Sequence, residues 1–177
     1  MSSKATQFKT ALLHPRYWLT WFAFGLWRLI TVMPFPVLLV LGRAIGLVFY
    51  AIPSRRKTIA RRNIEICFPD LSTAEQRAML RKNFISTGIA VMEVGISWWW
   101  SKKRFAKLLH IEGQENLEAV KGRGAMLLGI HFTTLEIGAA AMSTLIEMDG
   151  MYRAHGNVVY DFLQARGRLD KGIGNGI

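Results

Sequence analysis

A histidine and a glutamate five positions apart, His131 and Glu136 in "LLGIHFTTLEIGAA", are the residues of this sequence best suited to proton chemistry. An imidazole can take a proton from a weakly nucleophilic hydroxyl while a carboxylate behind it fixes the tautomer and stabilises the imidazolium that forms. A base so placed contributes roughly 10²- to 10⁴-fold. The same letters also have a purely structural meaning. Thr133 and Glu136 match a capping box, in which the glutamate bonds the amide of Thr133 and no chemistry follows. Spacing alone favours that structural meaning. No second His or Cys stands at ligand spacing, so no metal site is expected. The glycines of "KGRGAMLLG" precede the apolar run, where they form no dinucleotide or phosphate loop.

To position the pair, "AMLLGI" at 125–130 reads as a short buried strand, most simply a parallel one, with a helix following from Thr134 to about Glu147. His131 then stands at the strand's end, where open α/β sheets hold their ligands, and the helix start brings amide groups and a positive dipole end. A strand near "GMYRA" and a helix from about Val158 to Gln164 continue the predicted alternation, which gives an α/β class. Upstream, Ser54 caps a helix through Ile66. Ser72 and Glu75 form a capping box for a long helix running towards Trp100. Glu93 interrupts that helix's apolar run and is assigned a structural role. Cys67 is alone, which excludes an intrachain disulfide, and its apolar neighbours predict burial.

The 177 residues carry 23 Lys and Arg against 12 Asp and Glu, but ten of the cations and none of the acids precede Glu65. The excess belongs to a greasy, Trp-rich third of the chain, which indicates anionic lipid headgroups sooner than nucleic acid. From Tyr17 to Ile52 only Arg28 and Arg43 are charged. That stretch is too long for one straight span of about 20 residues and short for two. One crossing with an interfacial helix, or a hairpin bent at Met33 to Pro36, are the two solutions. Arg28 facing lipid at mid-bilayer would cost about 2.5 to 3.5 kcal/mol, which disfavours a simple central crossing. Five cations in "SRRKTIARRNIE" after the anchor exceed the three before Tyr17, placing the following part in the cytoplasm. The predicted organisation is an anchor over 1–53 and a cytoplasmic α/β part over 54–177. "WWW" at 98–100 with Lys102, Lys103 and Arg104 is either an interfacial shelf or a core edge beside a basic turn.

Four blocks, "HPRYWLTW" at 14–21, "RRNIEICFPD" at 61–70, "VMEVGISWWW" at 91–100 and "GIHFTTLEIGA" at 129–139, closely resemble the bacterial lipid A late acyltransferases, the lauroyl- and palmitoleoyl-transferring branch. The resemblance implies a membrane-anchored αβα acyltransferase domain at the inner membrane. It implies acyl transfer from an acyl carrier protein thioester to a hydroxyl of a Kdo-bearing lipid A precursor, with no cofactor. It casts His131 as general base and Glu136 as its orienting carboxylate, reversing the preference that spacing alone gives. "MYRAHGN" resembles the family's Tyr-Arg-Pro-x-x-Asn block, with Ala154 in place of proline, and offers Arg153 and Asn157 as substrate-binding residues. Arg166 and Arg168 are further candidates, since a guanidinium binds anions bidentately. His14, His110 and His155 are expected to be structural or solvent-facing. The ending "DKGIGNGI" departs from the family's continuation and implies a shortened member, incomplete at the C-terminus. The competing expectation is therefore a membrane-bound remnant or interaction protein without catalysis.

Overall fold

The computed structural model describes residues 7–150 and 154–175. Two short 3₁₀ turns lead into α1 (Trp18–Ile30), followed by α2 (Phe35–Ala51), α3 (Arg55–Cys67), α4 (Thr73–Trp99), α5 (Lys102–Ala106), α6 (Glu115–Glu118), α7 (Leu135–Met142), β1 (Met148–Gly150), α8 (Val158–Lys171) and β2 (Ile173–Asn175). Among the described residues the fold is mostly helical rather than an even α/β alternation, with one two-stranded parallel sheet in which Met148 faces Ile173 and Gly150 faces Asn175. The chain divides into two compact units, Ala23–Gly95 and Met1–Phe22 with Ile96–Ile177.

In the unit spanning Ala23–Gly95, α1 ends at Ile30 and α2 begins one residue after Pro34, so the chain breaks where the Pro-Phe-Pro sequence predicts a bend. Gly42 and Gly46, one helical turn apart on α2, meet Gly88 of α4 backbone to backbone. A Cβ on Gly42 would lie 2.7 Å from the Cα of Ile89, one on Gly46 2.6 Å from the Cα of Ile85, and one on Gly88 against the backbone of both α2 glycines. Small residues spaced by four on one helix allow this approach. Leu38, Leu80, Phe84 and Met92 are buried beside the seam. α3 starts as predicted, with Ser54 accepting from the amide of Lys57, and α4 opens on the Ser72–Glu75 box, each side chain bonding the other's backbone amide. These local hydrogen bonds pull the Glu75 carboxyl below its usual range. Burial pushes the Glu93 carboxyl above its usual range.

Among the described residues no single helix is long and apolar enough to cross a membrane; α2 and α3 meet the length and composition test only together, bent by 91°. Leu19, Phe22, Leu26 and Leu29 form an exposed stripe along α1, and Val37, Val40 and Val48 are exposed on α2. Cys67 is exposed, against the expectation of burial, because it closes the last turn of α3, whose outer face carries exposed Ile59 and Ile66.

In the other unit, Trp98, Trp100, Phe105, Ala140, Val159, Ala165 and Ile173 form the core. Trp98 and Trp100 are thus core residues, and of the two meanings of the triple tryptophan the core edge is the observed one. Arg104 lies over the Trp100 ring at 3.5 Å. Lys171 is buried at the end of α8, its Nζ donating to the carbonyl of Trp100 with the Phe105 ring 5.0 Å away. Burial, then repulsion from Lys102, lowers its affinity for the proton. Gly172, at a φ of 95°, ends α8 in the left-handed conformation that glycine adopts without steric penalty and sends the chain into β2.

The principal departure from expectation is the stretch 125–130, which forms no strand. Met126 is 97% and Leu128 94% exposed, and Ile130 and Phe132 also face solvent. A helix completes its hydrogen bonds within its own residues, whereas a strand needs a neighbour, and none pairs with this stretch among the described residues. The helix that follows is shorter than predicted, ending at Met142.

Candidate functional site

Glu136 occupies the first turn of α7, yet the capping box predicted for it does not form: Thr134 is the N-cap, without a side-chain hydrogen bond. The carboxylate is held by residues far along the chain. Trp98, at the end of α4, donates from Nε1 to Oε2 at 3.3 Å, and Arg168, in the last turns of α8, donates from Nε to the same oxygen at 3.3 Å and from Nη2 to Oε1. The Arg168 and Glu136 side chains are 21% and 17% exposed, so solvent screens the pair only partly. A forked guanidinium on both carboxylate oxygens is the strong form of this interaction, and it outcompetes one backbone amide for Glu136.

The Trp98 indole is itself fixed. Gly167 presents bare backbone to it, so that a Cβ there would stand 2.6 Å from the Trp98 Cβ, and the Tyr160 ring meets the indole edge-on at 5.5 Å. Burial, reinforced by the charge of Glu136 and opposed by that of Arg168, raises the Tyr160 phenol above its ordinary range.

His131 lies in the open stretch before α7, exposed, and makes no hydrogen bond or ion pair with Glu136 among the described residues. Asn157 caps α8, accepting from the amides of Val159 and Tyr160 at 3.0 and 3.2 Å, and its amide donates to the Thr20 hydroxyl. Arg166 pairs with Asp170 at 3.6 Å on the solvent side of α8. Arg153 lies outside the described residues. The structure therefore brings together Glu136 and Arg168 of the sequence candidates and leaves His131, Asn157 and Arg166 apart from them. His14 and His155 accept local backbone amides, and His110 meets Glu112 at the surface. Trp98 joins the candidate site through its bond to Glu136, a role that its place in the triple tryptophan does not predict. Its signal was a buried aromatic with one polar atom that needs a partner, hidden in a run of three identical letters.

Among the described residues, one hollow of about 460 Å³ is lined by Arg56, Ile59, Asn63 and Asn83, and another of about 240 Å³ by Lys9, Arg16, Asp161 and Phe162; neither includes His131, Glu136 or Arg168. Among the described residues no group of three His, Cys, Asp or Glu side chains is arranged to hold a metal ion.

Residues 5–174 match the model of a family described as bacterial lipid A biosynthesis acyltransferase. The chain is 43% identical over 165 residues to the lipid A biosynthesis lauroyltransferase of Escherichia coli K12, covering 92% of this chain and 54% of the relative. It is 41% identical to the palmitoleoyltransferase of the same organism, with the same coverage, and 39% identical over 170 residues to a lipid A biosynthesis acyltransferase of Haemophilus influenzae, covering 95% of this chain and 55% of the relative. The chain spans about half the length of these relatives. No solved structure matches it.

Proposed function

The chain belongs to the bacterial lipid A biosynthesis acyltransferase family, and on that premise we propose that it carries the base and carboxylate of an acyl transfer from an acyl carrier protein thioester to a hydroxyl of a Kdo-bearing lipid A precursor. The acyl group is lauroyl or palmitoleoyl, as in the names of the two Escherichia coli relatives. His131 takes the hydroxyl proton as the alcohol oxygen attacks the thioester carbonyl, the C–S bond breaks, and the proton passes to the departing thiolate. Glu136 orients the imidazole and stabilises its charged form. The observation that carries this reading is the treatment of Glu136: a carboxylate free to cap its own helix is instead gripped by an indole and a guanidinium from two distant helices. That is how a side chain is fixed for chemistry.

The work is set at the bacterial inner membrane, with the site on the cytoplasmic side. Support comes from the exposed apolar stripe of α1 and from Arg55, Arg56 and Arg61, exposed on α3 and without an ion pair among the described residues. The second reading, a membrane-bound remnant without turnover, is favoured by one observation, the separation of His131 from Glu136. Transfer of labelled acyl chains from acyl carrier protein to the lipid A precursor separates the two. In the active form, His131→Ala and Glu136→Gln each reduce the rate at least about 100-fold. Undiminished transfer by Glu136→Gln removes the carboxylate's role, and no transfer by the unaltered, folded chain selects the remnant.

A further inference from the structure

We propose that Trp98 is a positioning residue for Glu136, acting through its indole N–H and resting on the reading of Glu136 as the orienting carboxylate. A carboxylate with two oxygens keeps rotational freedom unless each is held from a different direction. Arg168 supplies one N–H to each oxygen, and the indole adds a second donor to Oε2 from another helix, at 3.3 Å. Three donors on two oxygens leave the carboxylate one orientation.

The donor is also hemmed in by contacts other than its hydrogen bond. Trp98 is buried, its Cβ lies against the bare backbone of Gly167, and Tyr160 and Trp99 meet its ring edge-on at 5.5 and 5.9 Å. The bond to Glu136 therefore forms with little further loss of side-chain freedom. Gly167 and Arg168 are consecutive, so a single turn of α8 both seats the indole and delivers the guanidinium. Buried packing accounts for the ring of a tryptophan at position 98 but leaves its N–H unexplained, and phenylalanine fills most of the same space. The N–H is what the carboxylate uses.

The test compares Trp98→Phe with Trp100→Phe, a neighbouring buried tryptophan engaged by Arg104 and Lys171 instead, in the full chain. For acyl transfer, Trp98→Phe lowers kcat about tenfold with KM unchanged, the cost of losing one hydrogen bond to a charged group, while Trp100→Phe leaves kcat within about twofold. Equal kcat losses in both variants overturn the positioning role, because packing alone then explains the effect. A readout that leaves Trp98 intact guards against misfolding. In ¹⁵N-labelled protein, Glu136→Ala moves one of the six indole N–H resonances upfield and speeds its exchange with solvent. Six unmoved resonances overturn the hydrogen bond itself. A resonance that moves while Trp98→Phe and Glu136→Gln both transfer at the full rate sinks instead the catalytic reading of Glu136.

Discussion

Two apolar stretches rich in leucine and glycine meet opposite fates in this chain. In α2, "LLVLGRAIG" is locked against α4, with Gly42 and Gly46 admitting the backbone of Gly88. In residues 124–132, "GAMLLGIHF" stands open, with nothing within 4 Å of the Cβ position of Gly124 and with Met126 and Leu128 almost wholly exposed. Hydrophobicity does not separate them. The difference lies in backbone hydrogen bonds, which a helix completes from its own residues and a strand must borrow. An apolar helix can thus fold first and find its partner by packing, whereas an apolar strand has no structure until a neighbour arrives.

The comparison breaks most sharply at Gly88→Ala, whose new methyl would meet backbone on α2; a loss of about 3 kcal/mol, read by urea unfolding, is expected. A loss below about 1 kcal/mol would mean that the seam yields easily. Arg168→Ala comes next. It leaves Glu136 partly buried without its cation, and about 2 kcal/mol of stability goes with it by the same measurement, less than for a fully buried pair because both side chains retain some exposure.

Glu93→Gln is expected to stabilise the fold modestly at neutral pH, because burial disfavours the charged carboxylate and leaves a neutral amide unaffected. Its carboxyl holds the proton more tightly when folded than when unfolded. The native state is therefore favoured while both forms are protonated, and loses stability as pH rises through the window between the ordinary value and the raised one. Thermal unfolding at pH 7 and at pH 3 should show the gain at the higher value and none at the lower. Smallest of all is Leu128→Ala, within about 0.5 kcal/mol of the parent. A larger loss would show that the stretch packs in solution, and slow amide hydrogen exchange at 125–131 would reveal the same packing without mutation.

The helices were legible because their signals are local. Ser54 and Ser72–Glu75 mark helix starts with bonds spanning three residues, and the structure forms each of them. Thr133–Glu136 carries the same letters and forms nothing of the kind, since a guanidinium 32 residues away takes the glutamate first. The pair Glu136 and Arg168 was visible only as two separate candidates. Nothing in the order of residues says that α8 returns to the start of α7. The strand expected at 125–130 fails for the same reason in reverse, its pattern being strand-like and its partner absent from the described residues. The seam of glycines was present in the letters as Gly42, Gly46 and Gly88, but a glycine announces close approach only once its opposite number is known.

The end of α8 meets the end of α4 and the residue after it through three residues within five positions: Gly167 under the Trp98 ring, Arg168 on the carboxylate that Trp98 also holds, and Lys171 on the Trp100 carbonyl. Each engagement depends on the angular phase of the helix. One residue inserted or deleted upstream within α8 would swing all three by about 100°. Point substitutions can erode this junction one grip at a time, but a shift in phase releases every grip at once, so its tolerance of length variation should be far below its tolerance of changed side chains.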